Sequence, residues 1–287
     1  MRIASIKIDG AEKAAIVAGD GLVLIETVNA AQNKIWSGDL LGLLANGELT
    51  ELNAWYRNAG RSILDQLEAI PFGSARYAPL FRQPPKIWGI GANYIAKAEQ
   101  MAVTPPDGEP ICFMKPATSL IGPGDAIILP EQSNRVTAEA EIGIVIGATC
   151  KHVSEADAMN VIAGFAPTLD MTAQDIHARN PRFLGRAKCF DTFFSFGPHL
   201  VTPDECPVGE QWTVETVLNG KSAYKSDSTN MIYSIPFIVS YFSRMMTLQP
   251  GDVIMTGTPG SVPLSPNDIV ECRIGGFEPL RNPVALA

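Results

Sequence analysis

The sequence lacks the residues and runs that several common classes of protein require. It has only three histidines among 287 residues, which disfavours a histidine-rich zinc site. Its five cysteines are widely spaced, odd in number and never arranged as C-x-x-C, so we interpret them as reduced thiols of a cytoplasmic protein. No run of 18 apolar residues occurs, and the N-terminus has no secretory apolar core, so we expect a soluble protein.

Positive charge is also scarce, with 22 Lys and Arg against 30 Asp and Glu and a net charge of -8. Without clusters of basic residues, we expect neither nucleic acid nor a membrane surface as a partner. An acidic protein repels acidic substrates, so an acid substrate would need a local cation. A bound metal ion would supply one.

The first third of the chain predicts a small domain. Short strands around Gly/Asp turns fill residues 2–26, and a helical stretch follows near 53–68. The Pro-rich segment 71–85 is typical of a linker. We therefore place a boundary near residue 78, with a small N-terminal domain at 1–78 and a larger one at 79–287.

The larger part is dominated by short strand-like segments that Gly and Pro separate. Two helices interrupt them. One is predicted to start at Ser154, where S-E-A-D offers a capping box, and the other covers 235–246. Many strands with few helices predict an α+β, β-rich protein built on a barrel or on stacked sheets.

The segment VTAEAEIGIVIGATC carries two carboxylates in a strand-like pattern. Period-two alternation puts Glu139 and Glu141 on one face, about 7 Å apart along the strand. Two carboxylates beside an apolar strand repel each other and are poorly solvated, and a cation between them resolves both problems. For E-x-E alone, an exposed edge with solvated glutamates is the alternative interpretation.

Asp170 directly follows another short apolar strand and opens a polar stretch. A strand-end aspartate followed by a polar loop is typical of functional sites. Three carboxylate ligands that leave other coordination positions of the metal open suit Mg²⁺ or Mn²⁺ better than zinc, and Ca²⁺ is a further option. The polar side chains of the stretch are Gln174, Asp175, His177, Arg179 and Lys188.

Taken in order, the segments of residues 86–285 resemble the fumarylacetoacetate hydrolase (FAH) family. The matching pieces are GIGANY (89–94), ICFMKPATSLIGPGDAIILP (111–130), EAEIGIVIG (139–147), GFAPTLDMTAQD (164–175), AKCFDTF (187–193), NG (219–220) and LQPGDVIMTGTPGSV (248–262). The resemblance implies an FAH-like mixed β-sandwich roll or barrel core, a Mg²⁺ or Mn²⁺ ion and usually a homodimer. Residues 1–78 resemble the small variable α/β domain of many members.

The resemblance also implies roles for individual residues. The metal ligands would be Glu139, Glu141 and Asp170. Lys188 falls where the family has a lysine that binds substrate or stabilises an oxyanion, and Thr258 falls where it contacts the substrate carboxylate. The substrate-binding set would further include Gln174 and Tyr94. Lys115 and Ser119 lie in a block that we take as mostly structural.

The sequence departs from the hydrolytic pattern at the proton-transfer group. Hydrolytic members typically read N-Y-x-x-H-x-x-E, and here Lys97 replaces the histidine and Gln100 the glutamate. Glu99 is one residue away from the position of the missing glutamate. On a helix, a side chain at Glu99 would point about 100° away from the direction of a side chain at that position. In the T-A-R-D-x-Q block, Gln174 replaces the arginine and His177 the glutamine.

The intact half of the machinery, metal plus Lys188, would stabilise the enolate of a 2-oxo acid. Lys97 and His177 are the candidates for the catalytic base; alternatively, Lys97 binds a substrate anion or is solvated, and His177 is a hydrogen-bonded loop residue. Our first hypothesis is hydrolysis of a C–C bond in a small 2-oxo or 1,3-dicarbonyl acid. The alternatives are an isomerase or tautomerase, a lyase that dehydrates or decarboxylates, and a non-hydrolytic relative that only binds metal and ligand.

Overall fold

A computed structural model describes residues 1–95, 97, 109–206 and 211–287. The N-terminal region is a small sheet with short helices packed against it. Its elements are β1 (Arg2–Ile8), β2 (Ala11–Ala18), β3 (Gly21–Leu24), α1 (Ile25–Gln32), α2 (Leu40–Ala45), α3 (Glu48–Trp55), a π-helical turn (Tyr56–Gly60), α4 (Arg61–Leu64) and β4 (Ile70–Pro71).

The remainder is strand-rich. Its first half contains β5 (Ile87–Gly91), β6 (Ile111–Lys115), β7 (Leu120–Ile121), β8 (Ile127–Leu129), β9 (Val136–Ile146), β10 (Ile162–Ala173), α5 (Gln174–Arg179), α6 (Leu184–Lys188), β11 (Phe194–Phe196) and β12 (His199–Val201). Its second half contains β13 (Thr213–Leu218), β14 (Lys221–Asp227), α7 (Ile235–Met245), β15 (Val253–Met255), β16 (Val262–Pro263), β17 (Ile269–Ile274) and β18 (Leu280–Leu286).

These strands form two sheets. A 13-stranded sheet has the main order β4-β3-β2-β1-β12-β10-β9-β15-β5-β6, and β14-β13-β17-β18-β8 form a five-stranded sheet. The α+β, strand-rich expectation is confirmed, and neither sheet closes into a barrel over the residues described, so the stacked-sheet alternative is the one realised. No helix in the described ranges has the length and apolar character to cross a membrane.

Strands β9 and β10 lie at the centre, and every residue of both is buried. One face of β9 presents Ala138, Ala140 and Ile142 to the main apolar core, which also contains Phe242 of α7. A strand that is covered on both faces must place any polar side chains of its second face inside the protein. The glutamates of β9 occupy that second face.

Most of the predicted elements are confirmed, with the helical stretch near 53–68 lying at 48–64. The helix predicted from Ser154 is wrong. The capping contact does form, since the Asp157 amide donates to Ser154 Oγ at 3.2 Å, but only a 3₁₀ turn (Ala158–Val161) follows. Ile162 then opens β10 and pairs with Ile146 of β9, and this long-range pairing overrides the local helix signal.

The boundary near residue 78 stays a prediction. The small N-terminal sheet continues into the larger one, because β1 pairs with β12, with Ala4 opposite His199. β12 in turn meets β10 where Val201 lies opposite Phe165. The junction therefore depends on β12 lying close against β10.

Gly164→Ala tests that close approach. A Cβ at residue 164 would lie 2.5 Å from the backbone oxygen of Val201, so β12 must move. We expect a loss of about 1–3 kcal/mol in the free energy of unfolding, measured by urea denaturation. Gly185→Ala is the matched control, because its Cβ would meet nothing within 4 Å. Equal stability of the two variants would contradict the prediction.

Candidate metal centre and active site

Three carboxylates converge on the inner face of the central strand pair. In the antiparallel register Asp170 lies opposite Glu139, and Glu141 lies two residues further along β9. One ligand oxygen from each of the three lies within 4.8 Å of the others. Their residues are only 8% (Glu139), 1% (Glu141) and 0% (Asp170) exposed, so the exposed-edge interpretation of E-x-E is wrong here.

Three lysine ammonium groups surround the carboxylates. Lys188 Nζ lies 3.1 Å from Glu139 Oε2 and also contacts Asp170 Oδ2. Lys97 Nζ lies 3.2 Å from Glu139 Oε1, and Lys115 Nζ lies 2.7 Å from Asp170 Oδ1. Buried carboxylates require this kind of compensation, because an unpaired charge in the interior is costly.

The lysines compensate the carboxylates unevenly. Burial opposes ionisation of Glu139, but Lys188 and Lys97 outweigh it and lower the pKa of that carboxyl. Burial and the charges of Asp170 and Glu139 raise the pKa of Glu141 well above its ordinary value. Its Oε2 accepts only the Gly257 amide, at 2.5 Å, among the described hydrogen bonds. The cluster therefore has one carboxylate without a cation.

This donor set fits a divalent metal ion. The carboxylates supply hard oxygen ligands, which Mg²⁺, Mn²⁺ and Ca²⁺ prefer. Asp170 Oδ1 accepts no hydrogen bond within the described part of the chain, although Lys115 is nearby, and Glu141 lacks an ionic partner there. A cation between these oxygens would satisfy both.

Lys115 has a larger role than the sequence indicated. Its fully buried ammonium group donates to the backbone oxygens of Met171 (3.1 Å), Lys188 (2.6 Å) and Phe193 (2.8 Å). Burial lowers the pKa of Lys115, and Asp170 opposes that change. The side chain thus links Asp170 to the C-terminal end of α6. A lysine at the end of the otherwise apolar segment ICFMK was the signal in the sequence.

Lys188 lies at the end of α6, and its ammonium group contacts two of the candidate metal ligands, Glu139 and Asp170. Burial lowers the pKa of Lys188, but the charges of Asp170 and Glu139 raise it by more than burial lowers it, so the net effect is a rise. Lys188 Nζ also lies 4.4 Å from the centre of the Phe113 ring. The ring is positioned because Gly89 leaves room for it: a Cβ there would lie 2.3 Å from the ring. The ammonium group is therefore held as a fixed positive charge.

His177 and Gln174 lie on α5, directly after the Asp170 strand. Both are partly exposed. Burial and the charge of Lys188 lower the pKa of His177, against the attraction of Glu139, so its imidazole responds to the charges of the site. The Gln174 backbone amide donates to the backbone oxygen of Arg135 at 2.8 Å, and no hydrogen bond of its side chain is described. The substrate-binding role of Gln174 stays a prediction.

Tyr94 and Thr258 lie in the buried segments that flank the site. The Tyr94 hydroxyl has no hydrogen-bond partner among the described atoms, and burial together with Glu141 raises its pKa. The Thr258 hydroxyl donates to the backbone oxygen of Gly260 at 2.9 Å, so it is used within its own turn. Roles in substrate binding stay predictions for both.

Ser261 was not among the predicted site residues. Its hydroxyl accepts a hydrogen bond of 2.7 Å from Lys97 Nζ. Ser261 is the second residue after the TGTP segment, and no local pattern connects it to Lys97, 164 residues earlier in the chain. Glu99, Gln100 and most of the segment after Tyr94 lie outside the described residues.

Comparison with known proteins identifies the family. The family model "Fumarylacetoacetate (FAA) hydrolase C-terminal" matches residues 86–285. The chain belongs to the fumarylacetoacetate hydrolase family. The mitochondrial oxaloacetate tautomerase of Rattus norvegicus is a relative, 33% identical over 264 residues, which cover 89% of this chain and 81% of that protein.

Two solved structures of the family are similar over the full length. The maleylpyruvate hydrolase of Sphingobium sp. SYK-6, in complex with manganese(II) and pyruvate, matches with a TM-score of 0.81 and 28% identity, covering 100% of both chains. The 5-carboxymethyl-2-hydroxymuconate delta-isomerase of Mycobacterium smegmatis matches with a TM-score of 0.76 and 28% identity, covering 100% of this chain and 99% of that one. The family membership inferred from the sequence is confirmed.

Metal binding should release a proton, because the pKa of Glu141 is raised in the metal-free protein. We expect the affinity for Mn²⁺ to rise with pH above about 4.5, the ordinary value for glutamate, until Glu141 is ionised. Calorimetry in two buffers with different ionisation enthalpies measures the proton count. Glu141→Gln should abolish binding, and Glu215→Gln on β13 is the control. An affinity that is independent of pH would contradict the assignment.

Proposed function

We propose that this protein binds a divalent cation through Glu139, Glu141 and Asp170 and catalyses keto–enol tautomerisation of a small 2-oxo acid. The cation, when bound, acts as a Lewis acid toward the keto oxygen and lowers the cost of the enolate. The manganese and pyruvate of the Sphingobium relative support this site and this substrate class. The rat oxaloacetate tautomerase supports the reaction.

The single observation that favours tautomerisation is the state of Lys97. Hydrolytic members have a histidine at this position, as half of a dyad that activates water. Here the ammonium group is paired with Glu139 and donates to Ser261, so it acts as a cation and hydrogen-bond donor. Tautomerisation needs no activated water, because only a proton moves between the carbon next to the keto group and the enol oxygen.

Two side chains would perform the proton transfer and stabilise the charge. Lys188 holds its ammonium group beside Glu139 and Asp170, where it stabilises negative charge on the enolate oxygen. His177 has a lowered pKa and a partly exposed ring, so it is neutral near pH 7 and exchanges protons with solvent. We assign it as the base that takes the proton from carbon.

Hydrolysis of a C–C bond is the second candidate. The full-length similarity to the Sphingobium maleylpyruvate hydrolase favours it. The two reactions differ in their products, because hydrolysis gives two acid fragments and tautomerisation gives an isomer of unchanged mass. Product analysis therefore separates them.

The protein loaded with Mn²⁺ should interconvert the keto and enol forms of oxaloacetate. The loss of enol absorbance measures the rate. Lys188→Met should lower kcat about 100-fold or more, because it removes the cation beside the oxyanion. Lys221→Met, on the exposed strand β14, is the control for the loss of a lysine. Release of acid fragments from acylpyruvates, without tautomerisation, would instead establish the hydrolase.

The pH dependence of tautomerisation should show the titration of His177. Because the pKa of His177 lies below 6.5, activity should be constant near neutral pH and fall only at lower pH, where the imidazole gains a proton. His177→Asn should remove that acidic limb together with most of kcat. His152→Asn is the control, because asparagine tolerates the left-handed backbone of residue 152. An unchanged acidic limb in His177→Asn would exclude it as the base.

A further inference from the structure

We infer that Lys97 and Ser261 together bind a second carboxylate of the substrate, so that the preferred substrate is a 2-oxo dicarboxylic acid. The inference rests on the proposed binding of a 2-oxo acid at the metal centre and names its substrate class more narrowly. It assigns to Lys97 the role of a specificity residue and to Ser261 that of its partner.

Within the described part of the chain, Lys97 and Ser261 each have a donor without an acceptor. Lys97 Nζ has three N–H groups; one points to Ser261 Oγ at 2.7 Å and one serves Glu139 Oε1 at 3.2 Å. The third has no acceptor in the described part of the chain. Ser261 accepts from Lys97, and its O–H donates to no atom of the described residues. One N–H and one O–H side by side match the two oxygens of a carboxylate.

The pair adjoins the proposed metal centre and is not fully enclosed. The Lys97 side chain is 9% exposed and its ammonium group contacts a candidate metal ligand. Ser261 is partly exposed, unlike the buried residues on either side of it. The anion-binding pair is therefore directly beside the position that the 2-oxo acid would occupy.

The turn before Ser261 is rigid, which fixes the position of the hydroxyl. Thr258 Oγ1 donates to the backbone oxygen of Gly260 at 2.9 Å, and the Gly260 amide approaches the same hydroxyl at 3.3 Å. The ring of Tyr224 packs so closely on Gly260 that a Cβ there would lie 2.2 Å from it. A preorganised donor loses little entropy when it binds a ligand.

The charge balance of the site also favours a dianion. Lys97, Lys115 and Lys188 balance the three carboxylates, so a divalent cation leaves the site with an excess of two positive charges. A 2-oxo monocarboxylate would neutralise one of these charges, and a 2-oxo dicarboxylate would neutralise both. Since uncompensated charge in a buried site is costly, the dianion is favoured.

A purely structural role for Lys97 predicts a different result. If Lys97 served only to neutralise Glu139, its loss would change metal affinity and stability and would weaken the binding of all 2-oxo acids equally. If it bound the second carboxylate, its loss would act selectively on dicarboxylates. The ratio of two affinities in the same variant therefore separates the roles.

The experiment compares oxaloacetate with pyruvate, which lacks the second carboxylate, by calorimetry on protein saturated with Mn²⁺. The wild-type protein should bind oxaloacetate about tenfold or more tighter than pyruvate. Lys97→Met should abolish this preference without weakening pyruvate, Lys97→Arg should largely retain it, and Ser261→Ala should reduce it about threefold or more. Lys221→Met is the control that should leave both affinities unchanged.

The inference would be overturned if Lys97→Met bound oxaloacetate and pyruvate more weakly by the same factor. It would also be overturned if the wild-type protein had no preference for oxaloacetate. If Lys97→Met did not bind Mn²⁺, Ser261→Ala would decide, because an unchanged affinity ratio in that variant overturns the inference as well. Binding does not require turnover, so a selective loss in a protein without tautomerase activity would refute the proposed reaction while supporting the carboxylate pair.

Discussion

The antiparallel register of β9 and β10 is the constraint on which the site depends. It puts Asp170 opposite Glu139 and leaves Glu141 one step along the same face. Both strands are covered on both faces, so the three carboxylates are largely shielded from bulk water. A slip of β9 by one residue would turn Glu139 and Glu141 into the apolar core and remove Ala138, Ala140 and Ile142 from it.

Buried negative charge then determines where the neighbouring cations lie. Glu139 and Asp170 each have lysine partners, whereas Glu141 has only a backbone amide among the described contacts. This asymmetry explains why the pKa of Glu141 rises while that of Glu139 falls. A cation at the proposed metal centre would give Glu141 an ionic partner, and the surrounding lysines would add positive charge for the proposed anionic substrate.

Proteins similar to this chain include a tautomerase, a hydrolase and an isomerase, so the family carries out several reactions. The residues that differ among members must therefore decide the reaction. One candidate is Lys97, which stands where the resemblance implies a histidine in hydrolytic members and whose ammonium group is paired with Glu139. The same substitution connects the proposed reaction with the proposed preference for dicarboxylates.

Local patterns in the sequence were sufficient to predict the carboxylate strand. Period two put Glu139 and Glu141 on one face but left an exposed edge as the alternative, and Asp170 with the family resemblance favoured a metal site. Contacts between distant segments were not predictable: nothing near Lys97 indicates Ser261, and nothing near Lys115 indicates Asp170. The helix expected from Ser154 failed for the same reason, because pairing of β10 with β9 overrides a local capping signal.

Anomalous diffraction from crystals grown with Mn²⁺ tests the central claim most directly. We expect one strong peak about 2.2 Å from an oxygen of each of Glu139, Glu141 and Asp170, as for a hard cation with oxygen ligands. Lys188 should have withdrawn from Asp170 in that structure. A peak elsewhere, or none with the three carboxylates still paired only with lysines, would contradict the metal centre.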